Sequence, residues 1–531
     1  MSVEPATAAP GTAPGTEPRL RAVLAAACCA LVAVPFLAVD FAPLTDLGQH
    51  SAQIRLFADA LGDPGGPYRI QWLTPYGLGY LPVAVGWLLG GPLAAGRLGA
   101  MLIAAAWVAA LHLLAAGRQR PAAAAALAGV LVFNHTLYWG FVSFLAGWPL
   151  FVLWWLWVTR PPAPGRPGRE AAVTLALALP LYLAHALWFA VGLACLAVVT
   201  LLRRHHWRAG LPRLAAVVPV AALAAAWFRG VSGTGFSTPP LWAKPAAVRL
   251  SPDSLVDAAL GGLSGSTEPL IFALLLAWLG LAAWRNRGEL AARSDLALAA
   301  LGAAFVVAAL VLPDKYTNTI EFNDRWMPAG LACLLLAAPP LRLPRRWLRG
   351  VAVAVLAAWC LWTTHVWRQV ERVELAGLRP ALEALPPEPR LLGLDFVRRS
   401  RWLEGQPFFQ MYAYGQALRG GTLNFSFAEF PPSPVVLRDD PASPWAGGLE
   451  WFPQNVRRQD LAHFSHLLVL APPPVHAQLA ADPALDAVTS EAPWRLYTVQ
   501  PERLNPPAGA TPRPRSGSPP PPTTPTPPSA R

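Results

Sequence analysis

The stretch AVLAAACCALVAVPFLAV-DFAPLTDLGQH, from Ala22 to His50, decides how the rest of the chain is read. Its first part, Ala22–Val39, carries no charged residue. A helix rises about 1.5 Å per residue, so crossing a hydrocarbon core of about 30 Å takes about 20 apolar residues. The run lacks a clear cleavage site and heads a chain of similar runs, so it reads as a retained membrane helix and not as a leader peptide. Directly after it come Asp40 and the polar string Thr45-Asp46-Leu47-Gly48-Gln49-His50.

Similar runs follow. Tyr76–Gly96, Leu98–Gly117, Pro121–Thr159 and Ala171–Leu202 also lack Asp, Glu, Lys and Arg. Further apolar stretches lie near Leu214–Phe228, Pro269–Trp284, Leu296–Pro313, Trp326–Leu341 and Gly350–Thr364. Only 14% of the 531 residues are charged and 54% are hydrophobic. A soluble globule normally has about 25% charged residues, so a water-soluble fold is excluded. The net charge of +12 does not imply nucleic acid. Lysine occurs only at Lys244 and Lys315, and the arginines sit largely in short loops between apolar runs, which is a topology signal. The partner implied is the lipid bilayer of a cell membrane. All five cysteines fall in apolar runs, so the C-terminal region has no disulfide framework.

Arginines collecting on the cytoplasmic side place the N-terminus inside, with about 11 crossings and the C-terminus outside. Pro121–Thr159 turns near Trp139–Phe141, and Ala171–Leu202 breaks between Pro180 and His185. This charge pattern demands an odd number of crossings in Tyr76–Gly117, so either its Pro- and Gly-rich first half is re-entrant or interfacial, or Arg118 and Arg120 face outward. The expected fold is an all-α polytopic membrane domain over residues 19–366, with outer loops 40–75, 230–268 and 314–325. A small α/β soluble domain over 367–500 follows, with strands at Arg390–Phe396, Leu467–Ala471 and Arg495–Val499 and a helix at Phe408–Leu418. Residues 1–18 and the Pro-rich 501–531 are expected to be disordered. Trp139, Trp148, Trp154, Trp155, Trp157 and Trp188 read mostly as interface belts.

Asp46 and His50 stand four apart and would share a helix face with Gln53. Leu47, Ile54 and Leu61 form a separate apolar stripe suited to a helix at the membrane surface. An acid and an imidazole there could accept a proton from a hydroxyl or ligate a divalent metal. Alternatively, Asp46 or Thr45 only caps the helix. Arg325 marks the outer end of a late helix, with Lys315, Glu321 and Asp324 nearby. His135 and His185 are intramembrane polar groups that should face a cavity or a neighbouring helix. There is no phosphate-cradling Gly loop, Ser/His/Asp triad signature or Cys/His zinc spacing.

Taken together, the Asp46-x-x-x-His50 element after the first helix, the many crossings and the soluble C-terminal domain resemble the GT-C superfamily of polytopic membrane glycosyltransferases. Asn134-His135 with Tyr138-Trp139-Gly140-Phe141, Ala184-His185-Ala186-Leu187-Trp188-Phe189 and Asn323-Asp324-Arg325-Trp326-Met327-Pro328 resemble stretches of such proteins. The resemblance spans roughly Arg19 to Val370. It implies a polyprenyl-phosphate-linked sugar donor and a glycan, lipid or protein acceptor at the extracytoplasmic face. The general base or metal-binding acid would be Asp46, with Asp40 and Asp63 as alternates and His50 beside it. Arg325 would hold the donor phosphate, and Gln53 and His185 would complete the substrate site. Gln49 stands where many relatives carry an acid, which argues against a divalent metal as cofactor. The other reading is a non-catalytic scaffold or lipid-linked glycan flippase of the same architecture. Convergence of Asp46, His50 and Arg325 on one cavity would favour the enzyme.

Overall fold

The computed structural model describes residues 16–203, 207–232, 238–317, 319–439, 443–489 and 492–504. The expectations for residues 1–15 and 505–531 lie outside these. Thr16–Leu37 forms the first helix, and its Cys28, Val32 and Phe36 are buried. It packs on the Leu81–Gly117 and Arg345–Gln369 helices. Where it ends, the backbone N–H groups of Asp40 and Phe41 both donate to Glu371 Oε1, at 2.5 and 3.0 Å. This ties the first loop to the last helix before the C-terminal domain.

The Leu81–Gly117 helix is two segments joined at Gly91, whose φ of 76° and ψ of −174° suit only glycine. Gly86 lies against the backbone of Ala95 and Gly99, and Gly99 lies against Val83, so the first segment doubles back along the second. A segment ending at Gly90 is only about 15 Å long, half a hydrocarbon core, whereas the part after Pro92 is long enough to cross. The region therefore supplies one full-length helix and one half-length one.

Among the described residues, five helices are long and apolar enough to cross a membrane: Glu17–Leu37, Gly77–Gly117, Trp207–Ser232, Thr267–Arg285 and Arg345–Glu374. Shorter apolar helices cover Ala122–Tyr138, Val142–Val158, Ala186–Leu202 and Leu296–Val311. The chain is a multi-pass membrane protein. The break expected between Pro180 and His185 falls at His185, which is extended and caps the next helix by accepting from Leu187 N–H at 3.2 Å.

Most of the tryptophans are not interface belts. Trp148, Trp154, Trp155, Trp157 and Trp188 are buried in protein. Three of them donate internally: Trp154 to Gly192 O at 2.8 Å, Trp157 to Thr174 Oγ1 at 2.9 Å and Trp188 to Phe144 O at 2.7 Å. Glycines make the room, since a Cβ at Gly147 would overlap the Trp188 ring. The same logic brings Leu296–Val311 against Met327–Ala337, where Gly302 and Gly330 face each other backbone to backbone.

The C-terminal domain is built on a five-stranded mixed sheet. Its strands are β2 (Arg390–Asp395), β3 (Thr422–Leu423), β5 (His466–Leu470), β6 (Leu485–Ala487) and β7 (Trp494–Val499), in the order β3-β2-β5-β7-β6. β3, β2 and β5 are parallel, while β7 and β6 are antiparallel. A second, two-stranded sheet joins the halves of the molecule: β1 (Tyr68–Ile70), in the first outer loop, pairs antiparallel with β4 (Val435–Leu437). The Leu47–Gly62 helix lies between this domain and the Leu81–Gly117 helix. It is thus mostly enclosed by protein instead of resting on a membrane surface, although Leu61 of its expected apolar stripe is exposed.

Candidate active site

Asp46 stands at the start of the Leu47–Gly62 helix, and its backbone is pinned from both sides. Its N–H donates to Trp139 O at 3.2 Å, while Thr45 N–H donates to Tyr138 O at 2.9 Å. Gly140, at φ +79°, packs directly on the Asp46 backbone, and a Cβ there would lie 2.9 Å from Asp46 N. Only glycine permits that approach. The Asp46 carboxylate itself makes no side-chain capping bond. Burial pushes its pKa up to about 7, against the opposing pull of Arg325.

His50 is fully engaged. Its Nδ1 pairs with the Tyr80 hydroxyl at 2.9 Å and its Nε2 with Gly140 O at 2.8 Å. A carbonyl can only accept, so Nε2 carries the proton and Nδ1 accepts from Tyr80. Burial pushes the imidazole pKa down to about 4, so the ring is neutral at ordinary pH. This leaves no free nitrogen for a metal, and His50 instead braces the Gly140 loop behind Asp46.

Arg325 sits at the start of the Met327–Ala337 helix and is buried. Its Nε donates to Glu321 O at 3.2 Å and its Nη2 to Ile320 O at 2.8 Å, and the guanidinium lies 3.7 Å over the Phe141 ring. Neither Glu321 nor Asp324 forms an ion pair with it. Nη1 has no protein partner among the described residues, and burial lowers the guanidinium pKa to about 10.

These groups share one cavity of about 480 Å³ beneath the C-terminal domain, lined by Asp46, His50, His185, Lys315 and Arg325 among others. Lys315 forms no ion pair among the described residues. His185 contributes its ring between Tyr76 and Phe144. An apolar cavity of about 380 Å³ adjoins this one, sharing Tyr76 and Thr319 and running along Leu187, Leu193 and Phe228.

Other expected residues lie elsewhere. Gln53 is away from the cavity: its amide accepts from Val435 N–H and donates to Val435 O, both at 3.1 Å. Asp40 pairs with Arg97 and Arg379, and Asp63 turns back on Gly65 N–H. Tyr80, Phe409, Glu450 and Trp451, none of them expected at the site, also line the cavity. The last three come from the C-terminal domain, hundreds of residues from Asp46, and no local pattern marks them.

A cluster outside the cavity lining could hold a metal ion. His135, Glu321 and Asp324 bring their ligand atoms within 4.8 Å of one another. His135 Nε2 is buried without a hydrogen bond, 3.6 Å from Glu321 Oε2. Imidazole and carboxylates suit a divalent cation, but Lys244 Nζ already stands 3.7 Å from Asp324 Oδ2 and neutralises part of the charge.

No protein-family model matches the chain, and no curated protein does. Among solved structures, ArnT from Cupriavidus metallidurans in the apo state superposes over 92% of this chain and 100% of its own, with TM-score 0.53 and 15% identity. The chain has an ArnT-like fold. A second ArnT structure, bound to undecaprenyl phosphate, covers 93% of this chain and 100% of its own at TM-score 0.47 and 14% identity. The ArnT-like fold matches the expected architecture, a multi-helix membrane domain followed by a small sheet-containing domain.

Proposed function

We propose that the protein is a membrane glycosyltransferase that moves a sugar from a polyprenyl-phosphate donor to an acceptor hydroxyl at the extracytoplasmic face. The observation that carries this reading is Asp46, whose carboxylate has no hydrogen bond or ion pair among the described residues, in the same cavity as Arg325, whose Nη1 has none among them either. The adjoining apolar cavity suits the first isoprene units of the donor. Asp46 takes the acceptor's proton as the acceptor oxygen bonds to the sugar's anomeric carbon. The bond from that carbon to the phosphate oxygen breaks, and its electron pair leaves with the polyprenyl phosphate. Arg325 Nη1 and Lys315 meet the charge that develops there. Donors held in place by protein and shielded from water stabilise such charge far better than solvent does. His50 and Tyr80 position Asp46 through Gly140 and do not themselves take a proton. A scaffold or flippase would not need a proton acceptor of raised pKa beside an anion-binding arginine.

The decisive test is Asp46→Asn, which keeps the shape and removes the base. Transfer from a polyprenyl-phosphate-linked sugar should fall by about 10²–10⁴-fold, with unchanged expression and thermal stability no lower than wild type. An unimpaired Asp46→Asn protein would sink the assignment.

A further inference from the structure

The wall that the C-terminal domain adds to the cavity has a chemistry of its own. Glu450 and Trp451 line it side by side, and Phe409 packs on the Trp451 indole with ring centroids 4.0 Å apart. Trp451 Nε1 has no hydrogen-bond partner among the described residues, yet it is not one of the sealed-off atoms of the interior. Among the described residues, the Glu450 carboxylate forms no ion pair and no hydrogen bond to another residue. Burial raises its pKa. None of the described residues of the domain therefore uses this carboxylate or this indole N–H. By contrast, Gln410, on the same wall, is committed to Gln49 at 2.8 Å. A half-buried acid left without a partner costs stability, and a ligand would offset that cost.

The combination selects a narrow class of ligand. A braced aromatic face takes an apolar surface the size of one ring. An ionised carboxylate accepts hydrogen bonds in pairs, and a free indole N–H donates one. A pyranose ring presents all three counterparts, with a C–H face for stacking, neighbouring hydroxyls that donate and further oxygens that accept. We propose that Phe409, Glu450 and Trp451 form a pyranose-binding subsite, with Trp451 stacking on the ring and Glu450 accepting from two adjacent hydroxyls. The subsite rests on the glycosyltransferase reading and deepens it, because the ring could belong to the donor's sugar or to a carbohydrate acceptor.

The test uses the full chain in phosphatidylcholine nanodiscs, free of sugar-headed detergent, with methyl hexopyranosides as probes and saturation-transfer NMR as the readout. Wild-type protein should transfer saturation to the ring protons of at least one hexoside. Glu450→Gln and Trp451→Ala should each weaken that binding about tenfold, the loss expected when hydrogen bonds to a charged group or a full stacking face are removed. Trp451→Phe, which keeps a ring, should retain most of it, so a misfolded protein is not mistaken for an empty subsite. Displacement of the hexoside by undecaprenyl-phosphoryl-mannose would assign the subsite to the donor's sugar, and coexistence of the two would assign it to the acceptor. Absence of any hexoside signal in the wild type, or a signal unchanged in both Glu450→Gln and Trp451→Ala, would overturn the subsite. The parent reading fails by a different result: binding of undecaprenyl phosphate alone that Arg325→Gln does not weaken.

Discussion

A carboxylate that must take a proton near neutral pH works best when its own pKa lies close to the working pH. An ordinary aspartate near 4 is too weak a base for this, and burial moves Asp46 up to about 7. The base is the ionised form. The transfer rate should therefore climb with pH up to about 7 and level off above it, lying about 100-fold below the plateau at two units under the pKa. A profile flat from pH 5 to pH 8 would remove Asp46 from that role. The same shift has a cost in stability. Between the ordinary 3.8 and about 7 the folded chain holds a proton that the unfolded chain has released, so this group's contribution to stability fades as pH rises through 7. At this scale the sequence is informative where chemistry is local. Asp46 stands out because it shares a helical spacing with His50 in the polar string after the first apolar run, and Arg325 because it opens a late one. His50 was equally visible, yet its role as a brace depends on Tyr80 and Gly140, which no helical spacing connects to it.

The polar face of the Leu47–Gly62 helix shows why spacing alone misassigned Gln53. Gln49 and Gln53 are both buried and both spend their amides on the C-terminal domain. Gln49 accepts from Phe427 N–H at 3.0 Å and donates to Phe425 O at 3.1 Å, while Gln53 closes a two-bond ring with Val435. These amides act as extra rungs on a chain that has too few strand partners. Replacing Gln53 by Leu would strand the N–H and C=O of Val435, at about 1–3 kcal/mol for each buried unpaired group. The expected result is a clearly lower melting temperature with little change in turnover per folded molecule. Loss of transfer at unchanged melting temperature would return Gln53 to the substrate site. The long helices were readable as apolar runs, and β2, β5 and β7 as short apolar strands. β1, β3, β4 and β6 were not readable, since strands of two or three residues are too short to show an alternation. The half-length segment before Gly91 was visible only as a conflict between run length and charge parity, because neither determines how two segments pack.

At the scale of the whole molecule, the site exists only because the C-terminal domain closes over the membrane bundle, and the question is whether that roof moves. Among the described residues, the ties that hold it include the pairing of Asp40 with Arg379, the two glutamine amides, and the pairing of β1 with β4. Tyr68 and Leu437 are opposite one another in that last pairing. The flanking bonds, Gln71 N–H to Pro434 O at 2.7 Å and Arg438 N–H to Pro67 O at 2.8 Å, put Tyr68 and Leu437 in a non-hydrogen-bonded position. Cα atoms at such positions lie about 4.5 Å apart, within the range a disulfide spans. The five native cysteines all lie within apolar helices and the C-terminal domain has none, so a new pair there has little competition. With Tyr68→Cys and Leu437→Cys together, oxidation should close the cross-link, raise the melting temperature and leave transfer at or near the wild-type rate. Substrates would then reach the cavity from the side and not through a lifted roof. A cross-linked protein that stops turning over, and recovers on reduction, would show that this pairing has to open in every cycle. In that case the β1–β4 pairing would be part of the latch of a moving lid.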